Sequence, residues 1–352
     1  MTASSRYPEI TVSGPPRELG RQIGEAAKEQ VRGFCAIALE RVNKTADVTR
    51  TEADAIAARC QEITRIYNGD LLDELEGTAE AAGVPMADLM LLQVRNQLMA
   101  EQESACTSLS LPEGVVAQNW DNDPELDPFT VVLTRHPEDR PSLTTLTQAG
   151  LIAYIGFNDQ GIGACLNTLP APSRPQGVPH YFTLRDLYEQ STLDAAVQSI
   201  QRAERAIPAN IILTTPQGPA NLEVTIDNVH VLTPADGLPV AHTNHCVHPE
   251  LLPVNDRFPE LIQSHSRKAR IDELITSSAR DGATTDLERV KTALRDHEGH
   301  PRSICRHTND DPDTGFWTTV FSVIIEADAQ RMHVTRGTPC DHPYEVYEMQ
   351  RR

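Results

Sequence analysis

Residues 103–109 read Glu-Ser-Ala-Cys-Thr-Ser-Leu, and at this point the chain changes from a helix-forming to a strand-forming composition. Before it, segment 16–45 is rich in Ala, Glu, Gln, Arg and Leu and places its apolar residues three or four positions apart. That spacing predicts an amphipathic helix. Similar compositions predict three further helices, over 51–68, 70–82 and 86–100.

After this junction, short segments rich in β-branched and aromatic residues predict strands. The stretch 151–169 predicts a hairpin, because Asn158-Asp159-Gln160-Gly161 is a turn signal between two apolar runs. Other strands are expected over 129–135, 142–148, 209–215, 220–226, 229–233, 318–326 and 331–336. Helices are expected over 181–190, 193–204, 257–277 and 284–295. Because the strands occur in runs rather than alternating singly with helices, the sequence predicts an antiparallel α+β fold.

The overall composition narrows the classes of partner. The chain has 352 residues and a net charge of −19, which argues against a nucleic-acid partner because phosphate binding needs a clustered positive surface. A glycine-rich phosphate loop is absent, which argues against a nucleotide-dependent enzyme. No long apolar run predicts a membrane span, and neither a signal peptide nor a peroxisomal tripeptide is recognisable. We therefore expect a cytoplasmic protein that does not bind membranes.

The chain has seven cysteines, an odd and scattered set that argues against a disulfide framework. They contain no C-x-x-C pair, so a structural zinc site is not expected. The closely spaced His242, His245 and His248 suggest a metal site, but in a strand His245 would face away from the other two. The sequence therefore predicts no metal and no other cofactor.

Six short motifs carry a family resemblance when they are taken in order along the chain. They are Arg17-Glu18-Leu19-Gly20-Arg21-Gln22-Ile23-Gly24, the stretch around Cys106, Gln118-Asn119-Trp120-Asp121, His242-Thr243-Asn244-His245, Ser303-Ile304-Cys305-Arg306-His307 and Val334-Thr335-Arg336-Gly337. In this order they resemble the acyl-coenzyme A:6-aminopenicillanic acid (isopenicillin N) acyltransferase family, over nearly the whole chain. The resemblance implies an N-terminal-nucleophile (Ntn) hydrolase fold, a four-layer αββα sandwich of two antiparallel sheets with helices outside.

The resemblance also implies a precursor that is cleaved before a cysteine, here at the Ala105–Cys106 bond. Cleavage would give a mainly helical fragment, 1–105, and a catalytic fragment, 106–352, which associate as one integrated domain. A thiol has a reference pKa of about 8.5 and an α-amino group one of about 7.7–8.0, so the freed amine of Cys106 can take the thiol proton. Before cleavage the same nitrogen is an amide and cannot act as a base, so cleavage would activate the enzyme.

Three further residues take catalytic roles from the resemblance. Asp121 would hold the new α-ammonium group by a charge-assisted hydrogen bond, although a turn aspartate at the strand end would read the same way. Asn244 would donate its side-chain amide to the oxyanion, or could simply cap a loop. Arg306 would clamp a carboxylate or steady Asp121, or could be a surface arginine.

Further residues are candidates for substrate binding or processing. Ser108 matches a hydroxyl position that is important for processing in the family, and strand alternation places it on the same face as Cys106. Ser303 matches the serine near the active-site arginine. Asn167 matches a position where related amidases place a polar binding residue.

The sequence thus predicts a self-cleaving enzyme that hydrolyses or transfers an acyl group at a C–N amide bond through a Cys106 thioester. Its substrate would be a small-molecule amide or acyl thioester, and whether water or an amine accepts the acyl group stays open. One alternative is a non-catalytic binding protein, or a stalled precursor, on the same scaffold. Another is a conventional cysteine protease with a Cys–His pair.

Overall fold

Five helices form the first part of the chain in the computed structural model, which describes residues 5–99, 105–235, 238–258, 263–277, 286–312 and 315–351. They are α1 (Pro16–Ala26), α2 (Lys28–Val42), α3 (Arg50–Tyr67), α4 (Gly69–Ala82) and α5 (Met86–Leu98). The single helix predicted over 16–45 is wrong, because the backbone leaves helical geometry at Ala27, with φ of −111° and ψ of 25°. Within the described ranges, no helix combines the length and apolar character needed to cross a bilayer.

Helices α1 and α4 cross so closely that only glycine fits at their contact. A Cβ atom on Gly20 would lie 1.7 Å from the carbonyl oxygen of Glu74, and one on Gly77 would lie 2.1 Å from that of Arg17. Gly24 meets the backbone of Thr78 in the same way, at 2.5 Å. The glycines of the N-terminal motif therefore serve helix packing rather than contact with a ligand.

The strands form two sheets of eight and six strands. The first sheet contains, in spatial order, β1 (Glu9–Gly14), β4 (Thr130–Pro137), β5 (Leu143–Gln148), β6 (Ile155–Asn158), β7 (Gly163–Asn167), β8 (Ala209–Thr215), β9 (Gly218–Val224) and β10 (Val229–Leu232). The second contains β11 (Val240–His242), β2 (Ala105–Leu111), β3 (Val115–Asn122), β12 (Thr318–Glu326), β13 (Arg331–Arg336) and β14 (Glu345–Glu348). Nearly all neighbouring strands are antiparallel, as predicted, and the hairpin of β6 and β7 is confirmed.

Strand β1 is the exception, because it pairs in parallel with β4 and was not predicted. Only Val12 of its six residues is buried, so the strand lacks a clear alternation in its sequence. The outer edge of an otherwise antiparallel sheet is thus formed by the start of the chain. A segment of 1–105 therefore contributes to the same sheet as residues of 106–352.

The remaining helices complete four layers. Helices α6 (His180–Leu187) and α7 (Leu193–Gln201) lie next to the first sheet. Tyr188, which follows α6, donates its hydroxyl to the carbonyl oxygen of Tyr154 at 2.9 Å. Helices α8 (Ser264–Ser277) and α9 (Asp286–Leu294) cover the second sheet. The predicted helix over 257–277 begins later than expected, and parts of three predicted helices (residue 100, 259–262, and 284 and 285) lie outside the described residues. The order α, β, β, α confirms the predicted fold class.

Polar contacts between the sheets fix how the second sheet sits over the first. The Gln118 side chain on β3 donates to the carbonyl oxygen of Leu166 at 2.8 Å and accepts from the Leu166 amide at 3.1 Å. One residue further along β7, Asn167 donates to Ser108 on β2 at 2.6 Å. These bonds are fully buried, so they set the register of β2 and β3 against β7.

A buried ion group joins the N-terminal helices to the first sheet. The Glu74 carboxylate on α4 accepts from Arg135 on β4 at 2.7 Å and from Arg185 on α6 at 3.3 Å, and all three side chains are buried. Removing one member of such a group would leave an uncompensated buried charge. The helical segment is therefore an integral part of the fold.

Candidate active site

Cys106 lies on β2, between β11 and β3, and its side chain is fully buried. Its backbone N–H donates to Oδ1 of Asn244 at 2.9 Å. Burial and the charge of Asp121 raise the pKa of the thiol to about 12, while hydrogen bonding from Gln118, the charge of Arg267 and the Asp121 amide lower it. In the intact chain the thiol is therefore protonated at neutral pH.

Asn244 follows β11 and is held against Cys106 from two sides. Its backbone N–H donates to Oγ of Ser264 at 2.7 Å, and its side-chain nitrogen donates to the carbonyl oxygen of Thr168 at 3.0 Å. The oxygen of the side chain, rather than its nitrogen, therefore faces Cys106. This orientation differs from the predicted oxyanion donor, because such a donor needs the amide nitrogen.

Asp121 lies on β3, directly opposite Ala105 in the β2–β3 ladder. The hydroxyl of Thr319 donates to its Oδ1 at 2.7 Å and accepts from the backbone N–H of Arg306 at 3.0 Å. Burial raises the pKa of Asp121 to about 6, against the opposing charges of Arg267 and Arg306 and the Thr319 hydrogen bond. The carboxylate predicted to hold an ammonium group is thus placed beside the bond predicted to be cut.

Arg306 is fully buried, which contradicts the alternative of a surface arginine. Its Nε donates to the carbonyl oxygen of Trp317 at 3.4 Å, and burial lowers the pKa of the guanidinium while the charge of Asp121 raises it. The structure therefore favours a role in steadying Asp121. The hydroxyl of Ser303 donates to the carbonyl oxygen of Cys305 at 2.6 Å, so it supports the loop that carries Arg306.

Ser108 and Asn167, predicted separately, contact each other directly. Ser108 accepts the 2.6 Å bond from Asn167 and donates to the carbonyl oxygen of His242 at 3.4 Å. Ala105, the residue before the nucleophile, is also buried and packs against Trp317. Ala105 and Ser108 thus lie on β2 with Cys106, and Asn167 reaches Ser108 from β7 of the other sheet.

Arg267 on α8 is the residue that sequence reasoning missed. Its Nη1 donates to the carbonyl oxygen of Cys106 at 2.7 Å and to Oγ1 of Thr107 at 3.0 Å, and its Nη2 donates to Oδ1 of Asn244 at 2.9 Å. The side chain is buried, although α8 itself has a sequence rich in charged residues. Such a helix reads as a solvent-exposed surface, so nothing local distinguishes Arg267 from its neighbours.

The histidines near Asn244 bind other side chains. His242 contacts Glu223 through Nε2 at 2.8 Å, and His245 contacts Ser264 through Nδ1 at 2.8 Å. Burial is the main cause that lowers the pKa of His245 to about 3. The groups that dominate the surroundings of Cys106 are an aspartate, an arginine and two amides, which does not favour a Cys–His protease.

A pocket opens beside this group of residues. It reaches Asn167 and Thr168, and its walls include Trp120, Tyr154 and Tyr181. Cys106 lies close enough to contribute to the raised pKa values of both tyrosines. A small molecule in the pocket would therefore lie next to the layer of side chains that surrounds the thiol.

The pocket also contains a buried cation. Arg95 on α5 is 8% exposed, stacks on Phe34 and Tyr181, and donates through Nη1 to the carbonyl oxygen of Leu92 at 2.8 Å. Among the described residues no ion pair is formed by Arg95, whereas Arg41 in the same pocket pairs with Asp123 at 3.0 Å. The nearby His180 is buried, and burial and the charge of Arg95 lower its pKa to about 3. Arg95 is thus suited to an anionic group of a ligand.

The sequence is similar to those of known proteins over most of its length. Residues 110–341 match the model of the acyl-coenzyme A:6-aminopenicillanic acid acyl-transferase family. A relative is the 40 kDa form of acyl-coenzyme A:6-aminopenicillanic-acid-acyltransferase from Emericella nidulans, 25% identical over 97% of this chain and 95% of its own length.

Solved structures resemble the chain more distantly. A mutant of the conjugated bile acid hydrolase from Clostridium perfringens is 10% identical, with a TM-score of 0.47 over 70% of this chain and 97% of its own. Penicillin V acylase from Agrobacterium tumefaciens is 12% identical, with a TM-score of 0.42 over 69% and 86%. Because the family match spans more than half of the sequence, this chain belongs to the acyl-coenzyme A:6-aminopenicillanic acid acyl-transferase family.

Proposed function

We propose that this protein cleaves its own Ala105–Cys106 bond and then uses Cys106 to hydrolyse or transfer an acyl group at an amide bond of a small molecule. The observation that carries the proposal is the setting of the Cys106 nitrogen. That nitrogen donates to Asn244 at 2.9 Å and lies on the strand opposite Asp121. An oxygen acceptor and a buried carboxylate suit a terminal ammonium group better than a peptide amide.

Self-cleavage is an N-to-S acyl shift followed by hydrolysis. The Cys106 sulfur attacks the carbonyl carbon of Ala105, a C–S bond forms, and the C–N bond breaks as the thiol proton passes to the nitrogen. Water then attacks the thioester, which releases the Ala105 carboxylate and restores the thiol. The product carries a free α-amino group on Cys106, held by the same contacts that held the amide.

The new ammonium group changes the chemistry of the thiol. A positive charge on the adjacent nitrogen favours the thiolate, which opposes the burial that raises the pKa of Cys106 to about 12 in the intact chain. The amine also serves as the base that takes and returns the proton during turnover. The substrate acyl group would pass to Cys106 as a thioester and then to water or an amine.

The pocket indicates the kind of substrate. Trp120, Tyr154 and Tyr181 offer an aromatic wall for an apolar acyl group. Arg95 offers a buried cation, so we expect a substrate with a carboxylate or another anion that reaches Arg95. Small N-acyl amides or acyl thioesters that carry an acidic group fit this description.

The first test compares the purified wild-type protein with Cys106→Ala and Cys165→Ala by intact-mass analysis. Cys165 is a matched control because it is equally buried and near Cys106. We expect two fragments, corresponding to residues 1–105 and 106–352, from the wild type and from Cys165→Ala, and one chain from Cys106→Ala. A wild-type chain that stays intact after long incubation would instead support a binding protein or stalled precursor on this scaffold.

A further inference from the structure

Four side chains outside the site described above converge on one point. They are His297, which follows α9, Cys305 and His307, which flank Arg306, and Cys340, which follows β13. Their ligand atoms all lie within 4.8 Å of one another. Two sulfur atoms and two imidazole nitrogens, drawn from three separate segments, thus share one small volume.

Four of the six distances between the ligand atoms are close to those around a tetrahedral ion, and the other two are within 4.8 Å. Zn–S bonds of about 2.3 Å and Zn–N bonds of about 2.0–2.1 Å place two sulfurs about 3.8 Å apart, a sulfur and a nitrogen about 3.6 Å apart, and two nitrogens about 3.3 Å apart. Here the two sulfurs are 3.6 Å apart, and Nε2 of His307 lies 3.7 Å from Cys305 and 3.4 Å from Cys340. The two Nε2 atoms of His297 and His307 are 3.1 Å apart.

A disulfide explains this arrangement less well. Bonded sulfurs lie about 2.05 Å apart, whereas Sγ of Cys305 and Sγ of Cys340 are 3.6 Å apart. A disulfide would also leave unexplained why two histidines direct the same ring atom into the cluster. A Cys2His2 set favours Zn²⁺ over the hard cations that prefer oxygen ligands.

We propose that His297, Cys305, His307 and Cys340 bind one structural Zn²⁺ ion, which fixes the loop that carries Arg306. Binding would displace the two thiol protons to solvent, so two thiolates neutralise the charge of the ion. Four protein ligands leave no open position, which marks a structural rather than a catalytic site. The expectation of no metal came from the absence of a C-x-x-C pair, but these ligands are too widely spaced for that motif.

The position of the cluster suggests what the ion does. Cys305 and His307 are the immediate neighbours of Arg306, whose backbone N–H orients Thr319 and through it Asp121. An ion bound by the residues before and after Arg306 would fix the position of its backbone N–H, and so the hydrogen bonds to Thr319 and from Thr319 to Asp121. This role rests on the proposed function, whereas metal binding itself does not.

Metal analysis of the tag-free, full-length protein tests the site. We expect about one zinc per chain by mass spectrometry of the metal, and a marked loss in His297→Ala, whose ligand is exposed, and in Cys340→Ser. The matched control changes the same residue types elsewhere, as Cys35→Ser with His248→Ala, and should keep its zinc. His248 also belongs to a separate group with His230 and Glu250, so the control excludes that group as the source.

Cobalt substitution provides a readout that does not depend on the variants. Apo-protein loaded with Co²⁺ should show the visible absorption of a tetrahedral ion and a thiolate charge-transfer band, and Cys340→Ser should lose the latter. Wild-type protein without zinc that also fails to take up Co²⁺ would overturn the proposal, as would zinc retained by both ligand variants. A mass lower by two hydrogens with a Cys305–Cys340 link would do the same.

The structural role is tested by removing the ion. Chelation should lower the thermal unfolding midpoint by several degrees and slow turnover, with both restored by Zn²⁺. If the protein binds zinc but never cleaves itself, the metal site stands and the proposed function fails. Zinc removal that changes neither property would show that the ion does not support the Arg306 loop.

Discussion

The surroundings of Cys106 and those of Cys305 and Cys340 differ sharply, although all three are cysteines of the same sheet or its loops. Among the described residues, the groups that act on Cys106 are amides, an aspartate and an arginine, and the thiol of Cys165 lies nearby. Cys305 and Cys340 meet each other and the Nε2 atom of His307 within 3.7 Å. The first setting suits a covalent nucleophile, and the second suits a metal.

The comparison shows that the neighbours of a thiol, rather than its burial, indicate its chemistry. Cys106 and Cys305 are both fully buried, and burial is the largest cause of the raised pKa of each. What differs is the group able to stabilise the thiolate. At Cys106 this group is the guanidinium of Arg267, and at Cys305 it is the proposed Zn²⁺ ion. Variants that exchange or remove these groups test the difference.

The largest effect is expected for Cys106→Ala, which should remove the activity of one thiol site and leave metal binding at the other unchanged. Cys106→Ala should abolish self-cleavage and lower turnover by about 10⁴-fold or more, because the covalent step is lost. The same variant should retain its zinc, as measured on one preparation by intact mass, amide hydrolysis and metal content. Turnover that survives in Cys106→Ala would assign the nucleophile to another residue.

Asn244 tests which atom of its side chain matters. Asn244→Ala should lower kcat by about 10²–10³-fold if the residue is needed at the reacting centre. Asn244→Asp keeps an oxygen acceptor for the Cys106 nitrogen and for Arg267 but has no amide donor. We expect the Asp variant to lose less, because the structure directs Oδ1 at Cys106.

An equal loss in the two Asn244 variants would favour the role of oxyanion donor that the sequence predicts for this residue. Single-turnover kinetics on cleaved enzyme measure this difference without interference from the activation step. Retention of the cleaved state in each variant, checked by mass, is the control.

Asp121 should make the stability of the uncut chain depend on pH. Its folded pKa is about 6 against an ordinary value of 3.8, so across this window the folded chain holds a proton that the unfolded chain releases. Stability contributed by this group is therefore lost as pH rises through the window, by an amount on the order of 2–3 kcal/mol. Urea unfolding of Cys106→Ala, with and without Asp121→Asn, measures this loss.

The two unfolding series should converge at low pH and separate as pH rises, with the Asp121→Asn chain losing less. Parallel curves would mean that the carboxyl titrates normally in the folded chain. In that case the charges of Arg267 and Arg306 and the Thr319 hydrogen bond balance the effect of burial.

The smallest expected effect concerns substrate binding at Arg95. Arg95→Met keeps an unbranched side chain between Phe34 and Tyr181 but removes the cation. KM for an anionic N-acyl amide should rise by roughly 10–100-fold, in keeping with a charge-assisted hydrogen bond. The neutral methyl ester of the same compound is the control and should show little change, and an equal rise for both would exclude an anion site.

Local sequence determined much of the architecture. Apolar spacing placed most helices, and the turn at 158–161 fixed the hairpin of β6 and β7, because these signals lie within one element. The same reading joined 16–45 into one helix, since the break at Ala27 has no glycine or proline to mark it. It also overlooked β1, an edge strand with one buried residue.

Some residues of the candidate site could be identified from the sequence, and others only from the tertiary structure. Motif order identified Cys106, Asp121, Asn244 and Arg306, and the structure groups them around β2 and β3 by contacts that bridge more than a hundred residues. Only the tertiary structure showed that Asn244 presents its oxygen and that a charged surface helix buries Arg267.

The sequence by itself thus determined most of the helices and strands, the α+β class and the cysteine at the junction between the helical and strand-rich parts, because each follows from residues close together in the chain. The tertiary structure decided which distant groups meet. Arg267 reaches Cys106 across 161 positions, and Cys340 reaches Cys305 across 35. The physical reason is that packing of sheets and helices, not local spacing, brings such side chains within bonding distance.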